Sequence, residues 1–134
     1  MSPVDPRGAN AYFETHVQSR TPLELVVMLY DGALRFMKEA GEAMQRRDLV
    51  AKRAAMSKAL AIIGELQGSL NMTAGGEFAA TLDRLYTYIN TRLLDANIKG
   101  EVEPIEESIR LLAPMRDAWA QIATQQVPAV SGAR

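Results

Sequence analysis

The sequence predicts an all-α protein: an antiparallel up-down four-helix bundle over residues 21–125, with a flexible N-terminal arm or lid over 1–20 and a disordered tail over 126–134. Three observations carry this. Apolar residues recur at spacings of three and four in four successive stretches. The stretches open or close on residues suited to helix ends. The connections between them are short, which forces neighbouring helices to run antiparallel. No alternating strand pattern competes.

The arm holds Pro3, Pro6 and Gly8 among polar residues, and it has no apolar signal core. Tyr12, Phe13 and Val17 interrupt that polarity. Adjacent aromatics are rare in a solvated linker, so the arm is expected to dock on the bundle. The first helix opens on Thr21-Pro22-Leu23-Glu24: an N-cap, a proline at the first helical position and a capping-box glutamate. Its stripe is Leu23, Val26, Tyr30, Ala33, Met37, Ala40 and Met44, and it ends near Arg46 and Arg47, whose charges suit the negative helix end. Asp48 caps the second helix. The stripe there is Ala55, Ala59, Ile62, Leu66 and Leu70, and residues 71–76 break the pattern at Gly75-Gly76.

The third helix places Phe78, Leu82, Leu85, Ile89, Leu93 and Ala96 on one face and stops at Gly100, a C-terminal glycine. Pro104 belongs to the first turn of the fourth helix, where Glu101, Glu103, Glu106 and Glu107 crowd the positive end. Its stripe is Ile105, Ser108, Leu112, Met115, Trp119 and Ile122. Pro114 deletes a hydrogen bond inside that helix at about 3 kcal/mol. A kink near Leu111, or a break into two pieces, is therefore expected.

Composition excludes several functions. The chain of 134 residues suits one domain, and 48% hydrophobic with 23% charged residues suits an ordinary soluble globule. There is no cysteine, so disulfides and thiolate metal sites are excluded. The net charge is −1. Its basic cluster of Arg46, Arg47, Lys52 and Arg53 is diluted by Glu42 and Asp48; it reads as a solvated helix junction and not as a nucleic-acid surface. No apolar run approaches the ~20 residues of a membrane span. A cytoplasmic location follows as the expectation.

Catalysis has no machinery here. His16, the single histidine, lies in the arm, and no Glu-x-x-His pair supports a di-iron bundle. No phosphate loop is present, and Glu106 and Glu107 are adjacent, so they point apart on a helix. No catalytic residue, metal ligand or cofactor is assigned.

The helices carry more apolar surface than one core needs. Leu25, Leu29 and Phe36 fall together beside the first stripe, with Gly32 between them. Met56, Leu60 and Ile63 form a similar shoulder on the second helix, and Leu94 and Ile98 lie opposite the stripe of the third. One reading is a wide core covered by the arm or by a second copy. The other is an apolar groove for a partner segment, because monomers seldom leave such patches uncovered.

The run Thr21-Pro22-Leu23-Glu24-Leu25-Val26-Val27-Met28-Leu29-Tyr30-Asp31-Gly32-Ala33 is similar to the Ser/Thr-Pro-x-x-Leu-(apolar)-x-Met-Leu-(aromatic)-Asp-Gly-Ala signature of the flagellin export chaperone family, FliS. Leu85-Tyr86-Thr87-Tyr88 with Arg92-Leu93-Leu94-Asp95-Ala96-Asn97 resembles that family's third helix, and Arg116-Asp117-Ala118-Trp119 its last. Tyr12 matches its tyrosine-bearing arm. The resemblance spans residues 10–122; Pro114 and Arg20 depart from the pattern. It implies a cytoplasmic bundle that binds the disordered C-terminal segment of flagellin, keeps flagellin from polymerising and presents it to export gate components of the flagellar type III apparatus. It implies no nucleotide or cofactor, and an arm that covers an apolar patch until flagellin displaces it. The partner-binding residues expected are Tyr12, Val17, Leu25, Leu29, Phe36, Met56, Leu60, Ile63, Leu94 and Ile98. Asp31 and Asn97, in the signature blocks, read as structural. A helical adaptor for another regulatory protein, such as an anti-sigma factor, and a self-associating bundle remain the other readings, with the chain a monomer or weak dimer.

Overall fold

A computed structural model describes residues 20–125. The expected arm and tail, and with them Tyr12, Val17 and His16, lie outside the described residues. Among the described residues four helices follow one another: α1 (Pro22–Gln45), α2 (Leu49–Gly68), α3 (Met72–Lys99) and α4 (Glu103–Ala123).

Local chemistry sets the ends. Thr21 Oγ1 accepts from the Glu24 N–H at 3.2 Å, and Glu24 Oε1 accepts from the Thr21 N–H at 2.8 Å, the reciprocal pair of a capping box. Asp48 Oδ1 accepts from the Ala51 N–H at 3.0 Å, and Asn71 Oδ1 from the Ala74 N–H at 2.9 Å. Gly100 closes α3 at φ 70°. The break expected in residues 71–76 falls at Gly76, whose φ of 56° and ψ of −135° separate one short turn from the long run of α3. Only glycine takes that conformation at little cost.

Pro114 does not divide α4, which runs through it to Ala123. The physical reason is its position. Pro114 and Arg110, whose carbonyl loses its intrahelical partner, both lie on the exposed face. That carbonyl is open to water, so no unpaired polar group is buried.

Each helix packs on its chain neighbours, and α4 returns to α1, closing a ring in which α1 and α3 face each other diagonally. α1 is the most tightly held member, and α3 is held more loosely by both neighbours. Small residues permit this. A Cβ on Gly32 would meet Ile62 Cδ1 at 3.0 Å, and one on Gly41 would meet Val102 Cγ2 at 3.3 Å. The core contains Met37, Met56, Ile63, Ile89, Leu93, Ile105 and Leu112. Across its diagonal, the Tyr30 and Tyr86 hydroxyls share a buried hydrogen bond of 2.6 Å. Burial raises the pKa of both phenols above the ordinary tyrosine value.

The stripes differ from expectation in several places. Met56 and Ile63, assigned to a partner-binding shoulder, are fully buried in the core, while Ile62 is half-buried. The inward face of α2 keeps Ala55, Ala59 and Leu66 of the expected stripe and takes in Met56 and Ile63 in place of Ile62. Tyr86 is buried where Leu85 was expected, and Ala123 where Ile122 was. Phe78 is exposed because residues 71–78 at the start of α3, the longest helix, overhang the end of the bundle.

Candidate peptide-binding surface

The seams between helices differ in chemistry. Between α3 and α4, the Arg92 guanidinium donates to Glu107 at 2.7 Å and to Glu103 at 3.0 Å, and it lies 3.6 Å from Asp95. The Tyr88 hydroxyl donates to the other Glu107 oxygen at 2.7 Å. The hydrogen bond from Tyr88, then that from Arg92, holds the Glu107 carboxyl below its ordinary pKa. Between α1 and α4, Arg116 donates to both oxygens of Asp31, at 2.7 and 3.4 Å. Asp31 thus has the structural role expected of it.

Among the described residues, the hydrogen bonds across the α2–α3 seam fall at two places. At one end the Gln67 amide donates to Asp83 Oδ1 and to Thr87 Oγ1, each at 2.8 Å. At the other, Lys52 Nζ donates to the Asn97 carbonyl at 3.2 Å. That contact uses the main chain of Asn97; its side-chain Oδ1 is buried without a partner among the described residues. These pairs set the antiparallel register, and that register puts Leu60 opposite residues 89–94 of α3. Leu60 is half-buried against the core, Leu94 is 41% exposed and Ile98 is 80% exposed. Leu49, at the start of α2 beside Gly100, is exposed too. The result is an apolar trough in which Leu60 and Leu94 lie between the two polar ties, and Ile98 and Leu49 extend it past the Lys52 tie.

The residues nominated from sequence do not form one surface. Leu29 and Phe36 are half-buried against the core, and Leu25 lies one turn before Leu29 on the same face of α1. Phe36 sits at the α1–α2 seam, its ring under Arg35 at 4.5 Å and under Lys58 of α2 at 5.2 Å. Leu60, Leu94 and Ile98 lie on the other flank of α2. Met56 and Ile63 fill the interior and are unavailable to a partner in this packing.

Two features escaped sequence reasoning. Leu49 directly follows the N-cap, and the stripe of α2 was read only from Ala55 onward. The second is a cavity of about 240 Å³ at the overhanging end, lined by Val26, Leu66, Leu70, Phe78, Leu82 and Trp119. Phe78 meets Trp119 edge-on there, with centroids 6.0 Å apart. Both aromatics had been assigned to the core stripe, which hid the cavity. Among the described residues no cluster of acidic or histidine side chains could hold a metal, and no helix is long and apolar enough to cross a membrane.

Comparison with known proteins is consistent across sequence and fold. The family model of the flagellar protein FliS matches residues 6–126. The flagellar secretion chaperone FliS of Salmonella typhimurium is 40% identical over 121 residues, covering 87% of this chain and 90% of that protein. The flagellar secretion chaperone FliS of Bacillus subtilis is 37% identical over 111 residues, covering 83% and 82%. A crystal structure of a flagellar chaperone from bacteria superposes with a TM-score of 0.73, covering 91% of this chain and 99% of that one; at 17% identity it shows the shared four-helix fold.

Proposed function

This chain belongs to the FliS family of flagellar secretion chaperones, and on that premise we propose that it holds the C-terminal segment of flagellin in the α2–α3 trough. The observation that carries the proposal is the apolar row of half-buried Leu60 and exposed Leu94, between two polar fastenings, continued past the Lys52 fastening by exposed Ile98 and Leu49.

The physics is direct. A flagellin terminus that orders only against other subunits exposes apolar faces when alone, and these drive self-association. The trough offers a substitute surface for the same faces. An ordering segment loses chain entropy, so the contact must be large, ~1,000–3,000 Å². The trough therefore serves as the anchor of a longer contact. That contact continues over α2 toward Leu25, Leu29 and Phe36, which line the neighbouring seam. The bundle's residues are preorganised on helices, so the ordering cost falls mainly on the client. Handover to the export apparatus then releases the segment. The arm, residues 1–20 with Tyr12 and Val17, is read as a competitor for the same apolar surface. That reading rests on its aromatics in a polar stretch.

The test is a calorimetric titration with the last ~40 residues of the cognate flagellin, a length that covers the required area. Saturable 1:1 binding with a negative heat-capacity change is expected, and Leu94→Asp should weaken it by ~10-fold or more while helicity is kept. Binding unaffected by Leu94→Asp would remove the trough from the site. A homodimer that disappears in Leu94→Asp would replace the client reading by self-association.

A further inference from the structure

The Lys52 end of the trough opens into a cavity of about 350 Å³, lined by Ala43, Met44, Arg47, Asp48, Leu49 and Lys52, with Gly100 at its edge. It lies where the α1–α2 turn meets the end of α3. Lys52 is only 7% exposed, an unusual position for an ammonium. Its one hydrogen bond among the described residues, to the Asn97 carbonyl, uses one of three N–H donors. Arg47 stands beside it with φ of 60°, a left-handed conformation rare for arginine, and makes no ion pair among the described residues. The one acid in the lining, Asp48, is committed: Oδ1 caps α2 through the Ala51 N–H, and Oδ2 lies 3.8 Å from Arg46. Asn97, whose carbonyl Lys52 engages, keeps its own side-chain Oδ1 buried and unpaired.

We propose that this cavity is a carboxylate-binding subsite at the end of the client trough, with Lys52 and Arg47 pairing the carboxylate and Ala43, Met44 and Leu49 receiving the aliphatic carbon behind it. Lys52 is shielded by the bundle on every side but the cavity, which makes a charge-assisted hydrogen bond there stronger than on an open surface. The apolar walls select a carboxylate attached to a hydrocarbon stem over a free inorganic anion. Leu49 belongs to both the cavity and the trough, so a segment lying in the trough delivers its acid here. Two sources share this chemistry: an acidic side chain of the client and its C-terminal carboxylate. The identity of the carrier rests on the proposed function; the subsite does not.

The first experiment is therefore independent of flagellin. The full chain, labelled with ¹⁵N, is titrated with N-acetyl-leucine and, separately, with N-acetyl-leucinamide. The carboxylate should shift the Leu49 and Gly100 amides saturably by tens of millimolar, the neutral amide should not, and Lys52→Met should abolish the response. Arg47→Asn, a residue that tolerates the same backbone conformation, serves as a second variant should Lys52→Met fail to fold. Equal shifts from both ligands, or none from either, overturn the subsite. The second experiment uses the calorimetric titration with three flagellin peptides: unmodified, C-terminally amidated, and with acidic side chains changed to amides. One neutralised peptide should bind ~10-fold more weakly, and Arg47→Asn should erase that difference. Equal affinities of all three would overturn the subsite for the client. A response to N-acetyl-leucine together with no binding of any peptide would sink the flagellin reading and leave the subsite standing.

Discussion

The two seams flanking α3 are built from opposite materials. On the α4 side, Arg92 gathers Glu107, Glu103 and Asp95, and Tyr88 adds a second hold on Glu107. On the α2 side, hydrogen bonds among the described residues are confined to two places, with Leu94 open between them and Ile98 open just beyond. One helix thus has a closed flank and a receptive one. The difference teaches that exposed apolar surface here is placed by the fold and is not a core left unfinished. Charges hold the rim on the α4 side, and the rim on the α2 side is left bare around Leu94.

The sharpest way to break this comparison uses adjacent residues. Leu93 is 0% exposed and Leu94 is 41% exposed. Leu93→Ala should destabilise the chain by about 2–5 kcal/mol in urea unfolding. Leu94→Ala should stay within about 0.5 kcal/mol. Equal losses would show that the trough is core after all. A smaller effect sharpens the functional side. Arg110 lies on the charged flank, paired with Glu103 at 3.4 Å. Arg110→Ala should leave flagellin-peptide affinity within about twofold, in contrast to Leu94→Asp. A comparable loss from both would mean that the client straddles α3.

The smallest effect concerns acid. The folded state holds the Glu107 carboxyl below its ordinary pKa, chiefly through the Tyr88 hydroxyl. Its contribution is therefore complete above the unfolded-state pKa of about 4.3 and disappears as pH falls through the lower folded value. Glu107→Gln should be slightly less stable than the parent at neutral pH, and the two urea curves should converge at acid pH. A constant gap between the curves at every pH would show that packing, and not the carboxylate, holds the flank.

Most of the architecture was legible because helix ends are written locally. Thr21 with Glu24, Asp48 and Gly100 each did what those residues do in any helix. The fine rotation of each helix was not legible. Ile62 and Ile63, Leu85 and Tyr86, and Ile122 and Ala123 are adjacent pairs, and at about 100° per residue both members border the stripe. Which one turns inward depends on neighbouring helices. The same ambiguity placed Met56 and Ile63 in the partner surface. Leu60, Leu94 and Ile98 were readable because surplus apolar residues away from a stripe stand out. That they share one seam, apart from Leu25, Leu29 and Phe36, followed only from the register that Lys52 and Gln67 impose. Pro114 shows the converse: a strong local signal muted by an exposed position.

The hydroxyl bond between Tyr30 and Tyr86 has a mechanical consequence. It ties α1 to α3, one of the two diagonal pairs of the ring, and so acts as a cross-brace at the centre of the frame. A braced frame cannot swing apart to swallow a guest. A client held as proposed is a thread wound onto the outside of a stiff spool, and unloading draws it off one end.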